Sequence, residues 1–432
     1  MARTTTVTGG RAATTGVIPG KWALSVGRPP TPAPAGFRWA PLSSVARLES
    51  GHTPSRRHPE YWGGDVPWIG IKDATGNHGR TIKRTLQTIT QAGLDNSSAR
   101  LLPAGTVCLS RTASVGYVVT MGVPMATSQD FINWVCGPEI SSRYLHYILL
   151  MEQESVRRFA HGTTHQTVYF PEAKAFHVCI PGRAEQDRIA GVLGALDDKI
   201  AVNERIATTA LDLALALYSR ESSVAGWQPT LLGDAAHWYS GGTPKTSVAE
   251  YWGGTIPWIS ASSLKSPWIR DSDRCVTELG ARNGTRLAAA QTILFVVRGM
   301  SLTSEFRVGI TQREVTFGQD CKALIAKSGI DPVTLFLAVK SKEKKILSMV
   351  DLAGHGTGRL VTDRLASLPV QLPSGEVAAS VFSKLTNPLI DRASIAGLEK
   401  QTLATLRDTL LPQLMSGRLR VKDAEKIVED AT

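Results

Sequence analysis

At Glu60-Tyr61-Trp62-Gly63-Gly64-Asp65-Val66-Pro67-Trp68-Ile69 the chain carries a decapeptide that returns 190 residues later as Glu250-Tyr251-Trp252-Gly253-Gly254-Thr255-Ile256-Pro257-Trp258-Ile259. A Gly-x-Thr-Pro turn precedes each copy, at 51–54 and at 241–244. Residues 36–69 and 226–259 align without a gap, with 15 identities in 34 positions. This self-similarity indicates a tandem duplication, so the two copies are expected to share one fold.

The composition is that of a globular protein with a basic surface. A chain of 432 residues has room for two to four domains, and 42% apolar with 20% charged residues is typical of folded protein rather than disorder. The formal net charge is +11 and the pI is about 9.5. This balance is typical of proteins that bind polyanions such as nucleic acid.

The cysteines and the apolar runs bear on the compartment. The cysteines are far apart, odd in number and include no Cys-x-x-Cys pair. This pattern argues against a disulfide framework or a zinc site and predicts a reducing, cytoplasmic environment. No apolar run approaches the roughly 18 residues of a membrane span, and the N-terminus lacks the apolar core of a signal peptide. The cysteines are Cys108, Cys136, Cys179, Cys275 and Cys321.

Short β-branched or aromatic runs bounded by Gly and Pro predict a mixed α/β domain in each copy, over 36–182 and 226–373. Residues 1–35, rich in Thr, Gly, Ala and Pro, are predicted to be a disordered tail, either solvated or in loose contact with phosphate. In the first domain we expect strands at 66–71, 106–111, 117–121, 131–136 and 176–180, and a helix over 142–159. In the second we expect strands at 256–261, 292–297, 307–310 and 322–325, and a helix that begins with an N-cap and a proline at Asp331-Pro332.

A long helical segment follows each domain, over 183–222 and 374–422, and a C-terminal tail is expected at 423–432. Apolar residues spaced alternately by three and four predict a coiled-coil seam on the first helix. Because a helix of roughly 55 Å cannot bury such a seam alone, the two helices are expected to pack antiparallel, with a pseudo-two-fold axis between the repeats. Pro388 and Pro412 are expected to kink or break the second helix. The helical residues predicted to bind a partner are Leu196, Ile200, Asn203, Leu398, Leu406 and Leu410.

The sequence offers no recognisable catalytic centre. It lacks a phosphate-binding GxxxxGK[ST] loop, HExxH, GxSxG, and a GxGxxG that follows a strand. Asn387-Pro388-Leu389 does not complete the Asn/Asp-Pro-Pro-aromatic signature of amino-methyltransferases. Asp197-Asp198 are adjacent on a helix, so their carboxylates diverge by about 100° instead of converging on a substrate. We therefore expect a protein without catalytic residues, metal or cofactor of its own.

Polar residues at the strand ends and loops of both copies are candidates for a DNA interface. Arg111 and Arg298 each follow a strand at positions that the sequence matches, and each can reach a base edge or a phosphate, or form a structural salt bridge. Gln129 and Gln319 can read an adenine edge or cap a strand turn. The loops differ between the copies, as two sites with different targets or neutral drift would both produce. The predicted DNA-binding residues are Thr53, Ser55, Arg56, Arg57, Lys72, Arg111, Thr112, Gln129, Thr243, Lys245, Ser262, Lys265, Arg298, Gln319 and Arg359.

The repeated tryptophans allow two interpretations. Trp62 and Trp68, with Trp252 and Trp258 in the second copy, could stack on bases or sugars, or could form a packed corner that supports a loop. The conserved spacing between variable flanks favours the packed corner.

Together the motifs resemble the specificity subunit of Type I restriction-modification systems. The resemblance covers 36–422 and rests on both repeats, on Gly-Thr-Thr-His-Gln-Thr-Val at 162–168, on Ile-Pro-Gly-Arg-Ala-Glu-Gln-Asp-Arg-Ile at 180–189, and on the closing segment 403–420. It implies two target recognition domains, joined by conserved spacer helices, which each read one half of a split site in double-stranded DNA. One departure is that Glu185-Gln186 has no counterpart at 373–376.

The resemblance also implies partners. Two modification subunits would carry S-adenosylmethionine and methylate adenine, and two restriction subunits that use ATP and Mg can join them, while this subunit catalyses nothing. Two other functions stay open at this point. A self-sufficient enzyme would methylate DNA unaided, and a Trp-rich carbohydrate- or protein-binding module would bind sugars without retaining DNA.

Overall fold

The computed structural model describes residues 16–162, 166–353 and 357–431, which form two compact units. The first unit comprises the described residues up to Asp198 together with those from Leu403 onward, and the second comprises Lys199–Thr402. Each unit contains one globular domain and a part of each long helix. The predicted fold class, two tandem mixed α/β domains with long helices, is confirmed.

The first unit is built on three sheets. Its strands are β1 (Ile18–Pro19), β2 (Leu24–Val26), β3 (Phe37–Pro41), β4 (Ala46–Ser50), β5 (Trp62–Ile69), β6 (Arg80–Ile82), β7 (Gln87–Ile89), β8 (Val107–Ser110), β9 (Val118–Met121), β10 (Ala126–Thr127), β11 (Phe131–Cys136) and β12 (Phe176–Pro181). Its helices are α1 (Leu42–Val45), α2 (Ile71–Gly76), α3 (Gln91–Asp95), α4 (Ser142–Met151), α5 (Gln153–Phe159), α6 (Phe170–Lys174) and the first part of α7 (Arg183–Glu221). The sheets have the orders β4-β11-β8-β9-β6, β10-β5-β7 and β1-β2-β12-β3.

The predicted strands of this unit are confirmed as β5, β8, β9, β11 and β12. Phe131, Ile132 and Trp134 of β11 are fully buried because this strand lies inside its sheet, between β4 and β8. The helix expected over 142–159 is instead divided at Glu152 into α4 and α5.

The N-terminal segment corrects the predicted tail. Residues 18–26 form β1 and β2, and β2 extends the sheet by pairing with β12. Glu152, fully buried between α4 and α5, accepts hydrogen bonds from the backbone N–H groups of residues 21–24 at 2.6 to 3.1 Å. This carboxylate lies about 130 residues along the chain from its donors, so local composition could not reveal the docking. Residues 1–15 lie outside the described part of the chain.

The second unit repeats this plan. Its strands are β13 (Trp227–Leu231), β14 (Ala236–Ser240), β15 (Trp252–Ile259), β16 (Trp268–Ile269), β17 (Cys275–Val276), β18 (Leu287–Ala288), β19 (Ile293–Val296), β20 (Arg298–Gly299), β21 (Val308–Thr311), β22 (Val315–Phe317), β23 (Cys321–Ala326), β24 (Asp351–Ala353), β25 (Thr357–Arg359) and β26 (Pro369–Pro373). Its helices are the rest of α7, α8 (Leu232–Ala235), α9 (Glu278–Arg282), α10 (Pro332–Ser341), α11 (Glu343–Leu347), α12 (Thr362–Ala366) and most of α13 (Glu376–Met415). The central sheet is β14-β23-β19-β21-β16, and others are β17-β15-β22-β18, β20-β25-β24 and β13-β26.

The predicted strands of the second unit are confirmed as β15, β19, β21 and β23. The predicted start of α10 is also confirmed, because the Asp331 carboxylate accepts the backbone N–H of Thr334 at 2.8 Å and Pro332 is the first helical residue.

The long helices pack antiparallel where they meet in the second unit. Glu204 of α7 pairs with Lys400 of α13 at 3.4 Å, and further along α7 the ring of Tyr218 lies 6.2 Å from that of Phe382. From Glu204 to Tyr218 along α7, the partner on α13 moves back from Lys400 to Phe382, as in an antiparallel pair. Gly397 lets α13 press on the domain, since a Cβ there would lie 2.3 Å from an indole carbon of Trp268.

The expected break in the second helix is wrong, because α13 continues through both Pro388 and Pro412. Pro388 has no N–H to give the carbonyl of Lys384. Tertiary packing offsets that loss, since Thr386 and Ile390 on either side are 0% and 3% exposed. The C-terminal tail is likewise mostly a helix, α14 (Val421–Ala431), in which Val421 and Ala424 are buried.

Backbone conformation and close packing explain the two glycines of the decapeptide. Gly63 and Gly253 both have φ of +80°, a region that favours glycine. Gly64 and Gly254 allow close approach of the neighbouring strand, because a Cβ would lie 2.6 Å from the Cα of Thr90 in the first unit and 2.4 Å from the carbonyl oxygen of Val276 in the second.

In the described ranges, no helix combines the length and apolar character needed to cross a bilayer.

Candidate nucleic-acid interface

The repeated tryptophans form a packed corner in the first unit. Trp62 and Trp68 meet edge to face, with ring centroids 5.1 Å apart at 83°. The Trp68 indole donates to the carbonyl of His52 at 3.1 Å, and the Trp62 indole donates to that of Ser55 at 3.4 Å. The Arg56 guanidinium covers the Trp62 ring at 3.7 Å. The indole N–H groups thus fix the turn, and the partly buried Trp62 ring is covered by a cation.

The second unit builds the same corner with a different cation. Trp252 and Trp258 lie 5.4 Å apart at 83°, and their indoles donate to the carbonyls of Lys245 and Gly242. Arg274 covers Trp252 at 3.8 Å, although it comes from the segment before β17 rather than from the turn before β15. This geometry favours the packed corner over a stacking platform in both units.

In the first unit three predicted residues converge. The Thr53 hydroxyl donates to the side-chain carbonyl of Gln129 at 2.5 Å, and the Arg111 Nε donates to the backbone carbonyl of Gln129 at 3.0 Å. A second guanidinium N–H of Arg111 reaches the Val168 carbonyl at 3.4 Å, and the group lies 4.9 Å from the Phe170 ring. Burial lowers the pKa of Arg111 from its ordinary value, and Asp130 opposes this shift. Arg111 therefore holds strand and loop together, while exposed Gln129 faces solvent.

The sequence match of Arg111 with Arg298 is wrong by one residue. The backbone N–H of Arg111 donates to the carbonyl of Asp130, and its carbonyl accepts from the N–H of Val168. In the second unit Val297 makes the same two bonds, with Asp320 and Leu360. Arg298 instead matches Thr112. Because neighbouring strand residues point to opposite faces, Arg111 turns inward and Arg298 outward.

In the second unit the predicted residues Arg298, Gln319 and Arg359 line one cleft of 410 Å³. The sequence analysis missed a fourth member, Lys322, whose ammonium donates to the Ser240 hydroxyl at 2.6 Å. Lys322 lies on β23 opposite Ser240 of β14, three residues after Gln319. Its position in a predicted strand, next to a candidate loop, was the signal that could have identified it.

The remaining predicted residues lie at the surface but apart from these groups. The turn residues Ser55, Arg57 and Lys245 are exposed, as are Lys72 of α2 and its counterpart Ser262, while Thr112 and Thr243 are partly buried. Lys265 lies in a smaller cleft with Phe306, Arg307 and Lys340. Two stretches of the sequence motifs, 163–165 and 354–356, fall outside the described residues.

The helical residues predicted to bind a partner are buried or partly buried within the chain itself. Leu196, Asn203 and Leu410 are 2%, 4% and 2% exposed, and Ile200, Leu398 and Leu406 are partly buried. In the first unit Asp197 joins the helices to the domain, because its carboxylate accepts from Arg407 at 2.7 Å and from the Tyr147 hydroxyl at 2.6 Å. Asp197 thus makes a helix contact, in keeping with the sequence argument that Asp197 and Asp198 do not converge on a substrate.

Known proteins resemble the chain over nearly its whole length. The model of the type I restriction modification DNA specificity domain matches residues 36–210 and again 225–400. The specificity subunit of the type I restriction enzyme MjaIX from Methanocaldococcus jannaschii is 26% identical over 407 residues, 88% of this chain and 93% of that protein. The HindI specificity subunit from Haemophilus influenzae is 30% identical over 127 residues, 29% of this chain and 27% of that one.

A solved structure shares the fold. The S subunit of a type I restriction-modification system from M. genitalium superimposes with a TM-score of 0.58 at 18% identity, over 88% of this chain and 96% of that one. Since the family model covers both copies of the repeat and most of the sequence, the chain belongs to the type I restriction-modification DNA specificity family.

Proposed function

We propose that this chain is the DNA sequence-recognition subunit of a type I restriction-modification complex, in which each domain reads one half of a bipartite site. The observation that carries the proposal is that one scaffold, built twice, presents different polar groups at the same strand ends. The first unit offers Thr53 and Gln129 around a partly buried Arg111, and the second offers Arg298, Gln319 and Arg359 around an open cleft. Two different surfaces on a common frame suit two different half-sites. The net charge of +11 suits DNA.

The long helices would set the distance between the half-sites and dock the modification subunits. In this proposal the chain catalyses nothing and holds no cofactor. Two modification subunits bring S-adenosylmethionine and methylate adenine, and two restriction subunits that use ATP and Mg can join them. The cytoplasm is the expected location, where the DNA is.

An exposed apolar stripe on α13 supports the docking role. Val377, Val381 and Leu385 recur every four residues and are 80%, 55% and 45% exposed. A contiguous apolar stripe on a soluble surface is typical of an interaction site. We expect Val381→Asp to reduce co-purification of the modification subunit while the chain alone keeps its melting temperature. Ser380→Asp, exposed on this helix but about 100° around it from Val381, is the control; equal loss in both variants would contradict the docking role.

The function is tested by sequencing methylated adenines in DNA from cells that carry this chain with its modification subunit. We expect a split motif of two short half-sites separated by a fixed gap. A compact, unsplit motif would contradict separate reading by the two domains.

Inserting one heptad after Ala207 together with a matching one in α13 should lengthen the gap, and an unchanged gap would contradict the role of the helices.

A further inference from the structure

Two arginines of the second unit face each other without an acidic group between them. Arg298 and Arg359 are directly opposite in the antiparallel pair β20–β25. Side chains at opposite positions share one face of a sheet, and like charges placed there destabilise it. The Arg298 side chain is 58% exposed and lies 3.9 Å from Asp320. The Arg359 guanidinium has no hydrogen bond or ion pair with any residue in the described ranges.

A third cation completes the cluster. Lys322 lines the same 410 Å³ cleft and donates to the neutral Ser240 hydroxyl, with no carboxylate within 4 Å among the described residues. The acidic groups near the cleft are Asp320, beside Arg298, and Asp363, which lines it. A third, Asp351, lies opposite Arg359 on β24 but is paired with Arg364 at 2.9 Å. With that pair included, four cations face three carboxylates, so the cleft retains one positive charge. A phosphodiester carries one negative charge and would neutralise it.

We propose that Arg298, Lys322 and Arg359 form a phosphate site that grips the DNA backbone beside the half-site read by the second unit. The proposal rests on the proposed function. It adds that these three cations position the DNA backbone and do not read the bases. Arginine forks and a lysine point charge are the usual phosphate donors. The like-charge pair is disfavoured in the free protein and becomes favourable once an anion lies between the guanidinium groups.

At the corresponding positions, all among the described residues, the first unit carries no such cluster. Arg298 and Arg359 correspond to Thr112 and Thr167, which pair in the same way, and Lys322 corresponds to Ile132, opposite Ser50. None of these three residues carries a charge. The backbone grip is therefore a property of the second unit, and the two half-sites should differ in how salt affects them.

The test measures how binding of a random-sequence duplex by the full chain depends on salt, since non-specific binding consists of phosphate contacts. Arg359→Gln and Lys322→Gln should each flatten the slope of log affinity against log salt by about 0.9, which is about 3.5-fold between 50 and 200 mM. Arg282→Gln and Lys345→Gln, exposed in the same unit, are the controls and should leave the slope unchanged. An unchanged slope in Arg359→Gln, Lys322→Gln and the double variant would overturn the proposal.

Two further measurements distinguish failure of the phosphate site from failure of the proposed function. Arg359→Gln should raise the melting temperature of the DNA-free chain at low salt, because it removes a like-charge contact, whereas loss of a purely structural arginine would lower it. The methylated motif of the variant complex should keep its letters; altered letters in one half-site would mean that the cleft reads bases, which contradicts the phosphate assignment. An unsplit motif from the unaltered complex would instead refute the proposed function and leave the salt result standing.

Discussion

The two recognition units share a frame and differ at its edges. Both fix the Gly-x-Thr-Pro turn with a tryptophan pair and both use glycine for the close contact after it. The cation over the tryptophan comes from Arg56 in one unit and Arg274 in the other. The duplicated sequence thus conserves the positions that the backbone requires, while the charges around them can come from different places in the chain.

A second difference lies at the sheet edge where the N-terminal arm docks. In the first unit β12 pairs with β2 of the arm, and Glu152 holds the arm in place. In the second unit Lys342 replaces Glu152 between the helices, and Pro369, which cannot donate a backbone hydrogen bond, replaces His177 in the edge strand. The second unit is therefore built without a site for such an arm.

The largest expected effect on stability is at Glu152, which holds the arm of the first unit. Glu152→Ala leaves four backbone N–H groups of the arm without their buried acceptor, so the free energy of unfolding should fall by about 3–5 kcal/mol. Urea denaturation measures the loss, and limited proteolysis should cut within residues 18–26. The exposed neighbour Glu154→Ala is the control. A loss confined to less than about 1 kcal/mol would show that the arm is not held by this carboxylate.

Smaller losses of stability are expected from substitution of the repeated glycines. Gly64→Ala and Gly254→Ala each force a Cβ against the neighbouring strand backbone, so each should cost about 2–3 kcal/mol. Gly63→Ala meets no atom within 4 Å and strains only φ, so it should cost about 1 kcal/mol. Chemical denaturation of the three variants decides the order. If Gly63→Ala proved the most costly, close packing would not be the reason for the second glycine.

The smallest effect concerns the cations over the tryptophans. Arg56→Ala and Arg274→Ala should each destabilise their unit by about 0.5–1 kcal/mol, the value of an exposed cation–π contact. Equal losses measured by thermal unfolding would indicate that the two arginines have the same role despite different origins in the sequence. The exposed Arg57→Ala, next to Arg56, is the control and should have no measurable effect on stability.

The sequence predicted the parts of the fold that depend on local pattern. The duplication, the buried strands and the Asp331-Pro332 helix start follow from spacing and residue type. It failed where distant contacts decide: Glu152 orders the arm, packing carries α13 through Pro388, and backbone pairing aligns Arg111 with Val297 although residue type had matched it with Arg298. At the candidate site it identified Arg298, Gln319 and Arg359 but not Lys322, whose one signal, its place in a predicted strand three residues after Gln319, does not by itself reveal the cleft.

The claim that each unit reads its own half-site is tested most directly by exchange. Residues 16–182, which include the docked arm, would be replaced by the corresponding domain of a related specificity subunit, and methylated adenines would be sequenced in cells that also carry the modification subunit. The account predicts that one half-site changes while the other half-site and the gap stay the same. A change in both halves, with the complex assembled, would contradict it.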